Sequence, residues 1–430
     1  MRMMTRITLA IAIALATVAF AQGAPIDCIT DQPATITYMG DPVGNLAETE
    51  ARTAAAFMEA CPHITVNIIP GPASTTELLA NYLVMFEGRS GDIDVMRVDV
   101  IHPGQLADNL VDLTPYFTQE ELDAHFPGFI QNNIVRDRMV AIAFRLGAGM
   151  LYYRTDLLEK SGFAGPPSTW DELESMAATI QAGERAAGNP DFWGFVWQGN
   201  NYEGLTCNAL EWQVSEGGGS IVSRDMLPEV NNEATIRALE RAAGWVGTIS
   251  PPGVTGYDED GARAVWHAGN AAFMRNWPYA MALSGTSEAI GGKWDVAPLP
   301  AGASGNYAAT MGGWSIAVNR YSANVDAAVA FAKHFASYQE QQRRAVENAI
   351  NPTIAALYQD AAVIAAVPAF AGLNEVFMGA TPRPSAATGA LYSQVSERYS
   401  TAVHAVLTGE LDAETAMTLL ELDLAALLGN

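Results

Sequence analysis

Five consecutive residues, Arg275-Asn276-Trp277-Pro278-Tyr279, put a guanidinium, an amide and two large rings directly after a short apolar run at 271–274. Such a run suits a buried strand of an α/β sheet, and ligands bind at the carboxyl edge of such sheets. Gly269 and Asn270 just before it tolerate left-handed backbone angles, which suits the end of a helix. Proline between the rings fixes φ and stiffens them. Flat rings beside polar groups suit a ligand with hydroxyls along its edges and C–H patches on its faces. The chemistry expected is recognition.

Bond-breaking chemistry leaves less trace. There is no H-E-x-x-H, no G-x-S-x-G and no Walker loop. Histidines stand at 63, 102, 125, 267, 334 and 404, with no two within a helical turn, so no metal site and no cofactor are expected. Tyr257-Asp-Glu-Asp-Gly261 lacks the remaining ligands of a calcium loop and is expected to cap the helix that follows. A glycoside hydrolase needs two facing carboxylates, and counting 47 acidic residues does not decide that; a secreted carbohydrate-active enzyme is the alternative from another class.

A chain of 430 residues suggests two domains. With 49% hydrophobic and 16% charged residues it is a folded protein. A formal charge of −24 argues against nucleic acid and against anionic membrane surfaces. Arg2 and Arg6, the apolar stretch 7–20 and Ala19-Phe20-Ala21 have the pattern of an export signal cleaved near Ala21. No later segment offers about 18 uninterrupted apolar residues, so a soluble exported protein, periplasmic and without membrane insertion, is expected. Cys28 and Cys61 each precede an expected strand and could bridge, leaving Cys207 as apolar filler.

Along the chain, strands are expected at 34–39, 64–69 and 92–96, separated by helices at 46–60 and 77–87. This rhythm predicts a mostly parallel sheet with helices on both faces. Further strands are expected at 139–144, 193–197, 271–274 and 313–318, with helices at 204–214, 234–246, 261–268 and 325–337 and mostly helix from 341. At 294–300 Pro298 and Pro300 suit a stiff hinge strand better than a sheet centre.

A helix running into Ala-Gly-Asn-Ala-Ala-Phe-Met and then Asn-Trp-Pro-Tyr resembles the sugar receptors of bacterial ABC importers, the maltose/trehalose-binding branch of family 1 solute-binding proteins. Trp193-Gly-Phe-Val-Trp-Gln-Gly, Tyr202-Glu-Gly-Leu-Thr, Ala209-Leu-Glu-Trp, Gly217-Gly-Gly, Gly312-Gly-Trp, Asn351-Pro-Thr-Ile and Pro382-Arg-Pro-Ser extend the resemblance over nearly all of the mature chain. It implies a two-lobed periplasmic-binding-protein fold, with discontinuous lobes joined by crossing hinge strands. One lobe would hold 28–142 plus 299–340, the other 143–298 plus 341–430.

Carried across by position, the resemblance makes Asp99 a carboxylate for sugar hydroxyls, Tyr202 and Asn208 an aromatic face and an amide, and Trp277 with Tyr279 the aromatic shelf. Gly313 offers a backbone contact, Trp314 a closing ring and Arg383 several hydrogen bonds, with Asn45 and Glu48 further contributors. Relatives commonly carry an Asp where this chain has Gly147, with Arg145 close by, and often Trp where it has His102. That departure suggests that Arg145 faces the cleft and meets an anionic sugar derivative. The expected protein is a monomeric receptor that delivers an α-glucoside or disaccharide-like sugar to ABC permease subunits, with a polyol or anionic sugar derivative as the alternative ligand.

Overall fold

Alternating apolar and polar residues form β1 (Ala34–Gly40), with Ile36 and Tyr38 fully buried. The structure, a computed structural model, describes residues 26–42, 46–72, 74–373, 376–377 and 380–429. The export signal expected at 1–21 lies outside the described residues, as does Asn45. From β1, α1 (Leu46–Ala60) leads to β2 (Ile64–Pro70), which pairs in parallel with β1, Ala34 opposite Ile64. That register brings together Cys28 and Cys61, each just upstream of its strand, and they form a disulfide; Cys207 is free and buried.

The chain continues through α2 (Thr75–Glu87), β3 (Val95–Asp99), β4 (Ile142–Ala148), β5 (Met150–Arg154), β6 (Trp193–Val196) and α3 (Glu203–Glu216). It then forms α4 (Glu259–His267), β7 (Ala271–Asn276), β8 (Trp294–Ala297), β9 (Met311–Val318), α5 (Val325–Ala336), α6 (Tyr338–Asn348) and α7 (Tyr392–Leu407). The first sheet has the order β2-β1-β3-β9-β4 and the second β8-β5-β7-β6. The first is parallel only through β2, β1 and β3, because β9 enters antiparallel between β3 and β4. Each sheet carries its own apolar core, so the architecture is two α/β lobes.

The chain crosses between lobes at Gly149, between β4 and β5. The boundary expected at 142/143 therefore falls at the start of a strand that stays in the first sheet. The chain returns from the second sheet to the first between β8 and β9. Both crossings rest on Glu211 of α3. A Cβ on Gly149 would lie 2.0 Å from its Oε1, and the Thr310 amide donates to that same oxygen at 3.0 Å. Arg275 clamps the same carboxylate with two bonds, Nη2 to Oε1 at 2.5 Å and Nε to Oε2 at 2.9 Å. At the far boundary α6 stays with the first lobe, because Thr53 of α1 donates to Glu340 at 2.5 Å and Arg343 reaches the Thr49 carbonyl.

Candidate ligand site between the lobes

Strand register builds the first-lobe half of the site. Asp99 ends β3 opposite Trp314 of β9, which is opposite Arg145 of β4, so the three side chains share one face of the sheet. Asp99 is nearly buried; its Oδ1 accepts from the Ile101 amide at 3.2 Å and from Arg383 Nη2 at 3.4 Å. Burial raises its pKa above the usual carboxylate value, with Arg383 pulling the other way. His102 accepts the Asp99 amide on Nδ1 at 3.1 Å, and burial with Arg383 lowers its pKa to about 3, so the ring stays neutral.

Gly313 has φ +127°, and a Cβ there would strike the Arg145 carbonyl at 2.4 Å; its own carbonyl is taken by the Val100 amide. Trp314 is half-buried, with the Arg97 guanidinium 4.3 Å and that of Arg145 5.4 Å from its ring centre. Both arginines share Asp41 Oδ2, Arg145 Nη2 at 2.9 Å and Arg97 Nη1 at 3.2 Å. Arg145 therefore has a carboxylate partner, but one it shares with a second guanidinium. The Asp41 amide donates to Glu50 at 2.8 Å, and burial together with Asp41 pushes Glu50 up to about 7. Glu48 is exposed on the first turn of α1; Glu50, two residues on, takes the inward position.

The second-lobe half hangs on β7 and α3. Arg275 and Asn276 continue β7 and are fully buried, so they lie behind the shelf and not on the edge. Arg275 instead stacks beneath Trp277, 4.0 Å from its ring centre. Trp277 is half-buried, and its Nε1 donates to Glu259 Oε1 at 3.1 Å. Tyr202 precedes α3 and donates to Glu259 Oε2 at 2.6 Å, with its ring folded over Gly204. Tyr279 is exposed. Asn208 is wholly buried inside α3, with its amide donating to Gln198 and to the Gly204 carbonyl. It belongs to the network under the shelf, where Arg275 also holds Gln198.

Arg383 joins the halves. Nη1 meets Glu203 of α3 at 2.6 Å, while Nη2 reaches Asp99 and the Met311 carbonyl, at 3.4 and 3.3 Å, in the first lobe. Glu203 also accepts from Tyr392 and Ser396 of α7. Asp41, Glu50, Glu203 and Glu259 were not singled out from sequence. Glu259 was visible only within an apparent cap.

The model of the bacterial extracellular solute-binding proteins matches residues 17–342. The chain belongs to that family. It is the solute-binding component of an ABC transporter. Membership implies export and a permease that receives the ligand, and among the described residues no helix is long and apolar enough to cross a membrane. A protein of Deinococcus radiodurans called "Probable ABC transporter-binding protein" is 45% identical over 416 residues, 96% of this chain and 97% of its own. MalE3 of T. maritima, solved with maltose bound, superposes with a TM-score of 0.84 at 38% identity, over 92% of this chain and all of that one. The GacH receptor of Streptomyces glaucescens, solved unliganded and with acarbose, gives 0.80 at 24% over 92% and 99%, a likeness of fold. These relatives are binding proteins.

Proposed function

We propose that this solute-binding protein is the periplasmic receptor of a sugar importer, and that it holds one uncharged, α-glucoside or disaccharide-like sugar between its lobes. The observation that carries the reading is Arg383, which spans from Glu203 in one lobe to Asp99 in the other, while Tyr202, next to Glu203 in the chain, shares Glu259 with Trp277. Arginine and carboxylate serve hydroxyls at a sugar's edge, and the rings serve its faces. The likeness to MalE3, whose structure holds maltose, supports the same class. Closure around the sugar would shift the open form toward the closed one that the permease receives.

The balance of charge favours a neutral ligand over an anionic one. Arg97 and Arg145 share Asp41, and Arg383 lies between Asp99 and Glu203. A polyol is the remaining alternative and would depend less on the rings. The test is calorimetric titration of the mature protein with maltose, trehalose, cellobiose, glucuronate and mannitol. One-to-one binding of an α-disaccharide, recovered unchanged, is expected. Binding of glucuronate or mannitol alone would overturn the reading, and conversion of the sugar would make the protein an enzyme.

A further inference from the structure

The acidic turn Asp258-Glu259-Asp260 has the composition of a helix cap, yet capping occupies only one of its residues. Asp258 is the N-cap of α4 and accepts from the Gly261 amide at 2.8 Å. Glu259 is left to spend both carboxylate oxygens on rings, Oε1 on the Trp277 indole N–H at 3.1 Å and Oε2 on the Tyr202 hydroxyl at 2.6 Å. The two rings come from distant parts of the chain, one before α3 and the other after β7, and this one carboxylate is bonded to both.

We propose that Glu259 is a positioning residue for the ligand site: it locks Tyr202 and Trp277 into one pose and so sets the ring-face half of sugar recognition. Each ring is also backed by a neighbour. Arg275 backs the Trp277 ring, and Gly204 lies so close beneath Tyr202 that a Cβ there would come within 2.1 Å of it. With its hydroxyl bound to Glu259, Tyr202 has its ring left to offer. A preorganised ring loses little freedom when ligand arrives, which is where the gain in affinity originates. The ligand part of this inference rests on the sugar-receptor reading above.

The test uses the full mature protein with maltose as the probe, in a double-mutant cycle read by calorimetry. Glu259→Ala should weaken maltose about tenfold. Glu259→Gln keeps an oxygen for the indole and should restore most of that loss. In a Tyr202→Phe/Trp277→Phe background, Glu259→Ala should cost nothing more. Equal losses in both backgrounds, or no loss in the wild-type background, would overturn the proposal. A second measurement needs no ligand: the Trp277 indole N–H signal in an NMR spectrum, assigned by its absence in Trp277→Phe. It should shift and exchange faster in Glu259→Ala and stay in place in Glu259→Gln. If wild type ignores maltose, the sugar reading fails while the indole signal still judges Glu259, and a signal unmoved in Glu259→Ala sinks the proposal.

Discussion

Trp277, carried by the second lobe, lies against the backbone of Gly312 in the first: a Cβ on Gly312 would come within 2.8 Å of the indole ring. Gly312 stands opposite Gly147 of β4, so two side-chain-free residues make the floor onto which the ring closes. Gly312→Ala should therefore hold the lobes apart and weaken maltose about tenfold or more, since overpacking a close contact costs roughly 1–3 kcal/mol. Melting of the unliganded protein should move little. Unchanged affinity by calorimetry would mean that the ring does not close there.

Arg383 offers a sharper loss. Its Nη1 and Nη2 reach opposite lobes, a span that a single ammonium does not reproduce. Arg383→Lys should lose maltose affinity by about a hundredfold, in line with the 2–5 kcal/mol of a broken buried charge pair. Binding within threefold of wild type would remove Arg383 from the site.

Arg145 should matter far less for a neutral sugar. Asp41 keeps Arg97 when Arg145 is replaced. Arg145→Ala is expected to change maltose affinity by less than about fivefold, and wild type is expected to ignore glucuronate. Glucuronate binding that vanishes in Arg145→Ala would restore the anionic reading.

Glu50 makes a prediction about pH. Folded Glu50 keeps its proton up to about 7, because burial and Asp41 penalise its charge, whereas unfolded it releases the proton near the ordinary 4.5 of a glutamate. The native state binds more protons between those values, so this group weakens the fold as pH rises through that window, by up to about 3 kcal/mol. Asp41, Arg97 and Arg145 surround it, and the two arginines oppose the shift. Glu50→Gln should melt close to wild type at pH 5 and above it at pH 8. Parallel melting curves at both values would refute this.

Legibility from sequence divided along one line. Trp277 was proposed from a local pattern, rings after a short strand, whereas Asp99 and Arg383 were proposed through the family resemblance, Arg383 within Pro382-Arg-Pro-Ser. Glu203 was not, since its meaning comes from Arg383, which is 180 positions away. β3 was expected at 92–96 but spans Val95–Asp99; Asp94, just before it, is held to Thr37 of β1 by its amide at 3.0 Å and by its carboxylate at 2.7 Å. Arg275 was expected on the cleft edge; pairing of Asn276 with Met150 carries β7 two residues further and buries it. Glu259 was hidden by a composition that also fits a cap.

Glu211 has a mechanical meaning. Gly149 and Thr310 belong to the two strap-like passages between the lobes, and both press on the same oxygen of a carboxylate that Arg275 holds rigid. Two passages that lean on one side chain are not independent parts: a change at Glu211 reaches both at once, although it lies on a helix of only one lobe.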